Sequence, residues 1–277
     1  MSDNTVPEAT VSGDDVLTVT VEDGIALVTM NRPAKLNALT PPLMSQFDHE
    51  LDRLRGLKEL RALILTGAGD RAFSVGFDLV ECQVASRTDQ VVEETDQNFR
   101  ILMKLWDLPV PTIAAVRGYA LGAGANLAWL CDIVIAGENA SFGEPEVKHL
   151  SLAPMLLLPW MAGNQKLANL LYLTGTRLSA AEALAGGMVA RIVPDGEVLD
   201  AAQAIAAEIA AVPPFAVRLM KQSLRAGYDA MGFRVAQEAH RSRDELALGA
   251  HGIPERDHLA ELLREGRLKE FLSARDS

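Results

Sequence analysis

The chain reads as an α/β protein whose strands and helices alternate as far as about Val193 and whose remainder is helical. Three observations predict that class. The short, largely apolar runs at 62–67, 111–116 and 132–137 read as buried strands. Between the second and third of them, Gly118, Gly122 and Gly124 make a glycine-rich turn that opens directly into an apolar helix ending near Asp132. Beyond Pro194 the apolar residues recur at helical spacing through four segments, 198–211, 214–227, 231–249 and 254–273.

Taken in order, the first fourteen residues are polar and acidic and lack the basic and apolar regions of a signal peptide, so they read as a mobile tail. Residues 16–21 and 25–30 flank Asp23-Gly24, a pair suited to a tight hairpin turn. Thr40-Pro41-Pro42 then starts a helix running to about Arg55. Its apolar stripe is Leu43, Met44, Phe47, Leu51 and Leu54, with proline in the first turn. Strand 62–67 leads to the loop 71–79, strand 111–116 to the glycine turn, and strand 132–137 to the segment 140–146. Three times, therefore, a buried strand delivers the chain to a loop that can carry chemistry.

Composition narrows the function classes. A chain of 277 residues, 49% hydrophobic, can bury a sizeable core. No run approaches the roughly 18 apolar residues of a membrane span. Cys82 and Cys131 form no disulfide framework or zinc pattern and read as free thiols of a cytoplasmic protein. A net charge of −11 argues against a nucleic-acid surface, which needs a basic patch.

The glycine turn has a chemical reading of its own. The first amides of a helix have no intrahelical partner, and the helix dipole adds partial positive charge there. Such a junction can hold an anion, or an oxygen that becomes one during a reaction. With the loops around it, the chain resembles the crotonase, or enoyl-CoA hydratase/isomerase, superfamily. The matching blocks are residues 30–39, 65–67, 72–79, 113–132, 142–146, 174–184 and 187–194, and Glu265-Gly266 ahead of Phe271.

That resemblance implies a spiral of strand–strand–helix units over residues 15–197 carrying a CoA-thioester site. It also implies a helical region over residues 198–277 that packs into a homotrimer or homohexamer. The chemistry implied is stabilisation of a thioester enolate, with the amides of Phe77 and Ala123 as the two donors to the carbonyl oxygen. CoA would be cradled by Ala34, Lys35, Leu36 and Ala38 together with Ser74, Gly76, Asp78, Leu79, Gly118, Leu121 and Gly122. Asp78 also suits an N-cap. No metal and no cofactor are implied beyond the coenzyme A that the substrate itself carries.

Relatives that hydrate enoyl thioesters use two glutamates. Here the second is present as Glu146, but Asn126 occupies the first position, and an amide is neither a general acid nor a general base. One carboxylate suffices to take a proton from C2 of a 3-enoyl thioester and return it to C4. Isomerisation with Glu146 as the sole acid/base is therefore the leading expectation. The segment 152–160 agrees: Ala153-Pro154 followed by Met155, Leu156, Leu157, Leu158 and Trp160 is similar to that of single-glutamate isomerases, and serves equally as core. Pro154 stands where dienoyl-CoA isomerases keep an aspartate. The alternatives are an enoyl-CoA hydratase, another crotonase reaction such as thioester hydrolysis or decarboxylation, and a non-catalytic acyl-CoA-binding subunit. Glu144, beside a proline, reads as facing solvent or capping a neighbour. His149 reads as structural, and His240 as lying on a helix without a partner.

Overall fold

A computed structural model describes residues 15–82, 88–149, 151–250 and 252–276. The predicted tail lies outside them. The chain opens with the hairpin β1 (Leu17–Glu22) and β2 (Ile25–Met30), and α1 (Pro41–Gly56) follows. Then come three successive units: β3 (Ala62–Gly67), β4 (Ala72–Ser74) and α2 (Thr88–Trp106); β5 (Thr112–Val116), β6 (Tyr119–Leu121) and α3 (Ala123–Leu130); and β7 (Ile133–Gly137) with β8 (Ser141–Gly143), which ends in the 3-10 turn Pro145–His149. In every unit the first strand joins one sheet and the second joins another. The larger sheet has the order β1-β2-β3-β5-β7-β10 and the smaller β4-β6-β8-β9, where β9 is Arg177–Ser179 and β10 is Arg191–Val193. Pairing from β2 to β10 is parallel, as is β4-β6-β8, so the chain advances as a spiral.

The local chemistry explains these elements. Asp23 and Gly24 both take positive φ, 49° and 77°, as a two-residue turn with the right twist demands. Thr40 caps α1, its side chain accepting from the Leu43 amide, and the predicted stripe from Leu43 to Leu54 is buried. Each of those side chains contributes about 1.5–3 kcal/mol by leaving water. The apolar runs are buried on both faces for a visible reason. Leu63, Leu65, Ala114, Val116, Val134 and Ala136 face the main core, while Ala62, Ile64, Ile113, Ala115 and Ile135 face α7 (Val198–Ala211). Helix α7 lays Val198, Ala202 and Ala206 on that outer face, four residues apart.

The helices α4 (Leu158–Met161), α5 (Gln165–Thr174) and α6 (Ala180–Ala185) precede β10. After α7 come α8 (Pro214–Ala230), α9 (Phe233–Gly249), α10 (Pro254–Arg264) and α11 (Leu268–Asp276). The last pair corrects the single helix expected over 254–273. Gly266 takes φ 71°, its amide donates to Leu263 and the Arg267 amide reaches back to Leu262, which ends a helix in the left-handed manner. Helix α8 is fastened to the sheet by Asp132. That carboxylate accepts from the Thr112 amide at 2.7 Å and pairs with Lys221 and Arg225, each at 2.8 Å.

Candidate active site

Two backbone segments meet at the site. Leu39 and Phe77 form an isolated parallel bridge, in which the Leu39 amide donates to Gly76 and the Leu39 carbonyl accepts from Asp78. The amide of Phe77, lying between those bonds, is outside them. Opposite it, Gly122 and Ala123 begin α3, and the first-turn amide of Ala123 has no intrahelical acceptor. The segments touch: a Cβ built on Gly76, whose φ is 85°, would lie 3.1 Å from the Ala123 nitrogen and 2.8 Å from the Leu121 carbonyl oxygen. Glycine at 76 is thus a requirement of close approach. The structure brings the expected donor segments, 76–77 and 122–123, to one place.

Glu146 sits against the same turn. A Cβ on Gly122 would overlap its Oε1, so the carboxyl occupies the space that glycine leaves beside the Ala123 amide. Glu146 keeps partial exposure as a residue, while its Oε2 is sealed from solvent. Burial, opposed by hydrogen bonding, pushes its carboxyl up to about 7, close to the pH at which a general base works best.

Asn126 is fully buried and occupied on both sides. Its Oδ1 accepts from the Met155 amide at 3.0 Å, and its Nδ2 donates to Glu144 Oε1. Glu144 corrects the expectation of a solvent-facing or capping residue, since it is only 1% exposed. The signal for this was present: 142 and 144 alternate in an extended segment, so Glu144 shares the inward face of the fully buried Phe142. Burial, followed by the nearby charge of Glu146, raises the Glu144 carboxyl well above the usual carboxylate range.

The loop from Ser151 to Leu157 forms one wall, and α9 clamps it. Asp244 accepts from the Leu152 amide at 3.1 Å, His240 Nε2 meets the Ala153 carbonyl at 2.7 Å, and Gln237 bonds both the amide and the carbonyl of Leu156. Tyr172 from α5 accepts from the Leu157 and Leu158 amides through its hydroxyl. These partners satisfy an irregular backbone that would otherwise be buried unpaired. His240 therefore has the partner that the sequence did not show. Met155, Leu157 and Leu158 belong to the core, with Trp160 packed on it, and Leu152 and Leu156 keep partial exposure. His149 lies against Phe271 of α11, with ring centroids 5.5 Å apart.

The residues expected to cradle CoA differ in exposure. Ala34 and Lys35 are exposed, Leu36 is half-buried and Ala38 is buried. Leu36 and Asn37 both take φ 53°, and the Asn37 side chain holds the bend through the Arg32 amide and the Ala68 and Ala72 carbonyls. The Ser74 hydroxyl is spent internally, donating to the Asn37 carbonyl and accepting from the Gly76 amide, so it joins this bend to the donor loop. Asp78 caps a turn through the Val80 and Glu81 amides. Its other oxygen pairs with Arg32, which also binds the Ala38 carbonyl. Leu79 packs on Leu259, Leu262 and Phe271 of the last two helices. Gly118, with φ 61°, and Leu121 and Gly122 form the floor of the turn. Among the described residues no group of three His, Cys, Asp or Glu side chains could hold a metal ion.

Residues 20–245 match the family model described as enoyl-CoA hydratase/isomerase. A probable mitochondrial enoyl-CoA hydratase of Dictyostelium discoideum is 36% identical over 213 residues, 74% of this chain and 73% of that protein. The short-chain-enoyl-CoA hydratase of Clostridium acetobutylicum is 36% identical over 74% of this chain and 79% of its own. Among solved structures, an enoyl-CoA hydratase/isomerase from Xanthobacter autotrophicus Py2 superposes with a TM-score of 0.89 at 34% identity, covering 95% of this chain and 97% of that one.

Proposed function

The chain belongs to the enoyl-CoA hydratase/isomerase family, and from that premise we propose that it adds water to 2-enoyl-CoA thioesters. The observation that carries this reading is the Glu146 carboxyl lodged beside Gly122, next to the Ala123 amide and across from the Gly76–Phe77 loop. In the proposed reaction Glu146 takes a proton from water as the oxygen attacks C3. The electron pair of the C2–C3 double bond moves toward the thioester, whose carbonyl oxygen becomes negative and is held by the Phe77 and Ala123 amides. Glu146 then returns the proton to C2. Each amide donor is worth on the order of 100- to 1000-fold in rate. No cofactor is needed beyond the coenzyme A of the substrate, and the exposed Lys35 would meet one of its phosphates.

The named relatives above support hydration ahead of the isomerisation expected from Asn126. Isomerisation of a 3-enoyl-CoA stays as the second reading, because Asn126 is fixed between Met155 and Glu144 and the Glu146 carboxyl lies against the glycine turn. The two readings separate when the protein is incubated with a 2-enoyl-CoA and, in parallel, with the 3-enoyl-CoA of equal length, both followed by mass and conjugation absorbance. Gain of water by the 2-enoyl ester establishes hydration. A conjugated product of unchanged mass from the 3-enoyl ester, with no water gained by the other, establishes isomerisation and overturns the leading reading.

A homo-oligomer is part of the proposal. Phe215, Leu219, Met220 and Leu224 lie exposed along α8 at helical spacing, an apolar stripe suited to contact between copies.

A further inference from the structure

We propose that Glu144 and Glu146 act as a one-proton pair in which Glu144 keeps its proton and donates it to Glu146, making Glu144 a positioning residue for the base. The inference rests on the reading that Glu146 handles the substrate proton.

The geometry around Asn126 sets the direction. Its Oδ1 is taken by the Met155 amide, so its Nδ2 is the group that faces Glu144, and that nitrogen donates to Glu144 Oε1. A proton on Glu144 then belongs on Oε2. That atom and Glu146 Oε2 are both buried, and no N–H or O–H donor reaches either one among the described residues. Buried polar atoms are rarely left so. Two ionised carboxylates side by side in a buried site repel, whereas one shared proton supplies a donor where both oxygens lack one. The influence of each carboxyl on the other raises Glu144 and lowers Glu146, the sense that keeps the proton on Glu144 and the charge on Glu146. Depth agrees with that assignment, because Glu144 is 1% exposed and Glu146 lies at the glycine turn.

Other ionisable groups face the pair. Asp244 of α9 opposes ionisation of Glu146 and Arg275 of α11 favours it. Tyr172 of α5 stands near both carboxyls and is held neutral chiefly by burial. Lys148 and His149 share the 3-10 turn, with Lys148 extended along Gly175 and His149 on Phe271. The pair thus restores two carboxyls to a site where position 126 offers an amide.

The test compares three variants of the full-length protein. Glutamine at 144 can still accept from Asn126 and donate to Glu146, so Glu144→Gln is expected to keep kcat within about threefold of the parent. Glu144→Leu removes the donor and is expected to lower kcat about 10- to 100-fold and to move the acid limb of the pH–rate profile upward. Infrared difference spectra of substrate-free protein at about pH 8 give a second readout. A protonated-carboxyl band should vanish in Glu144→Gln and survive in Glu146→Gln. The pairing is overturned if glutamine at 144 damages the rate as much as leucine, or if the band survives in Glu144→Gln and is lost in Glu146→Gln. Failure of the parent protein on both enoyl esters would sink the proposed reaction, while the infrared pair would still decide where the proton resides. Thermal melts of each variant identify any that does not fold.

Discussion

Replacing Gly122 with alanine tests how tightly the turn and the base are joined. Gly122 adopts φ 53° and ψ −129°, a conformation that L side chains rarely enter, and holding alanine there costs about 1–3 kcal/mol. The added methyl would also overlap Glu146 Oε1, so the carboxyl must withdraw from the Ala123 amide. Misplacement of a catalytic group by about 1 Å can cost on the order of 100-fold, and loss of a positioned base about 100- to 10,000-fold. Gly122→Ala is therefore expected to lower kcat on a 2-enoyl-CoA by at least about 100-fold. A stability cost near 2 kcal/mol would lower the melting midpoint by about 4–8 °C. Gly232→Ala is the control. Its φ of 85° also strains an L residue, but a Cβ there meets nothing within 4 Å. It should lose stability and keep its rate. A folded Gly122→Ala enzyme with kcat within about threefold of the parent would refute the reasoning, as would equal rate losses in both variants.

Three further outcomes are expected. Asp132→Ala strands the nearly buried Lys221 and should destabilise by about 3–5 kcal/mol in chemical denaturation, with Arg225 also losing its partner. Asp244→Leu leaves the Leu152 amide without its acceptor and should cost about 1–3 kcal/mol, with KM for the enoyl ester rising as that wall loosens. The pH dependence follows from Glu146, whose folded-state pKa of about 7 lies above the ordinary 4.5. The unfolded chain releases this proton first, so the group's contribution is fully present below pH 4.5 and is lost as pH rises to about 7. Glu146→Gln should therefore gain stability over the parent between those pH values by denaturant titration, while parental kcat/KM climbs through about pH 7 as the base ionises.

Much of this arrangement could be read from the chain because it is local. Asp23-Gly24, the α1 stripe and the turn at Gly122 each involve neighbours in sequence, and their spacing alone defines them. The approach of 76–77 and Glu146 to Ala123 is legible only through the resemblance, since nothing in their own spacing brings them together. What escaped was long-range. Asn126 bonds Met155 across 29 positions, and Gln237 bonds Leu156 across 81. No periodicity in either segment encodes such a pairing. Glu144 reads as solvent-facing from the proline beside it, whereas its alternation with Phe142 puts it on the buried face. The break at Gly266 was hidden by apolar residues that keep a helical spacing on both sides of it.

The contact between Leu79 and the final helices gives the chain an order of completion. The loop carrying Phe77 is made well before α10 and α11, yet its neighbour Leu79 rests on Leu259, Leu262 and Phe271 of those helices. A nascent chain halted before α10 would have both sheets and the carboxyls of Glu144 and Glu146, but an unsupported loop beside Phe77. Support for the loop beside Phe77 thus comes only once α10 and α11 are made, and disrupting those helices is expected to loosen the loop without altering Ala123, Glu144 or Glu146.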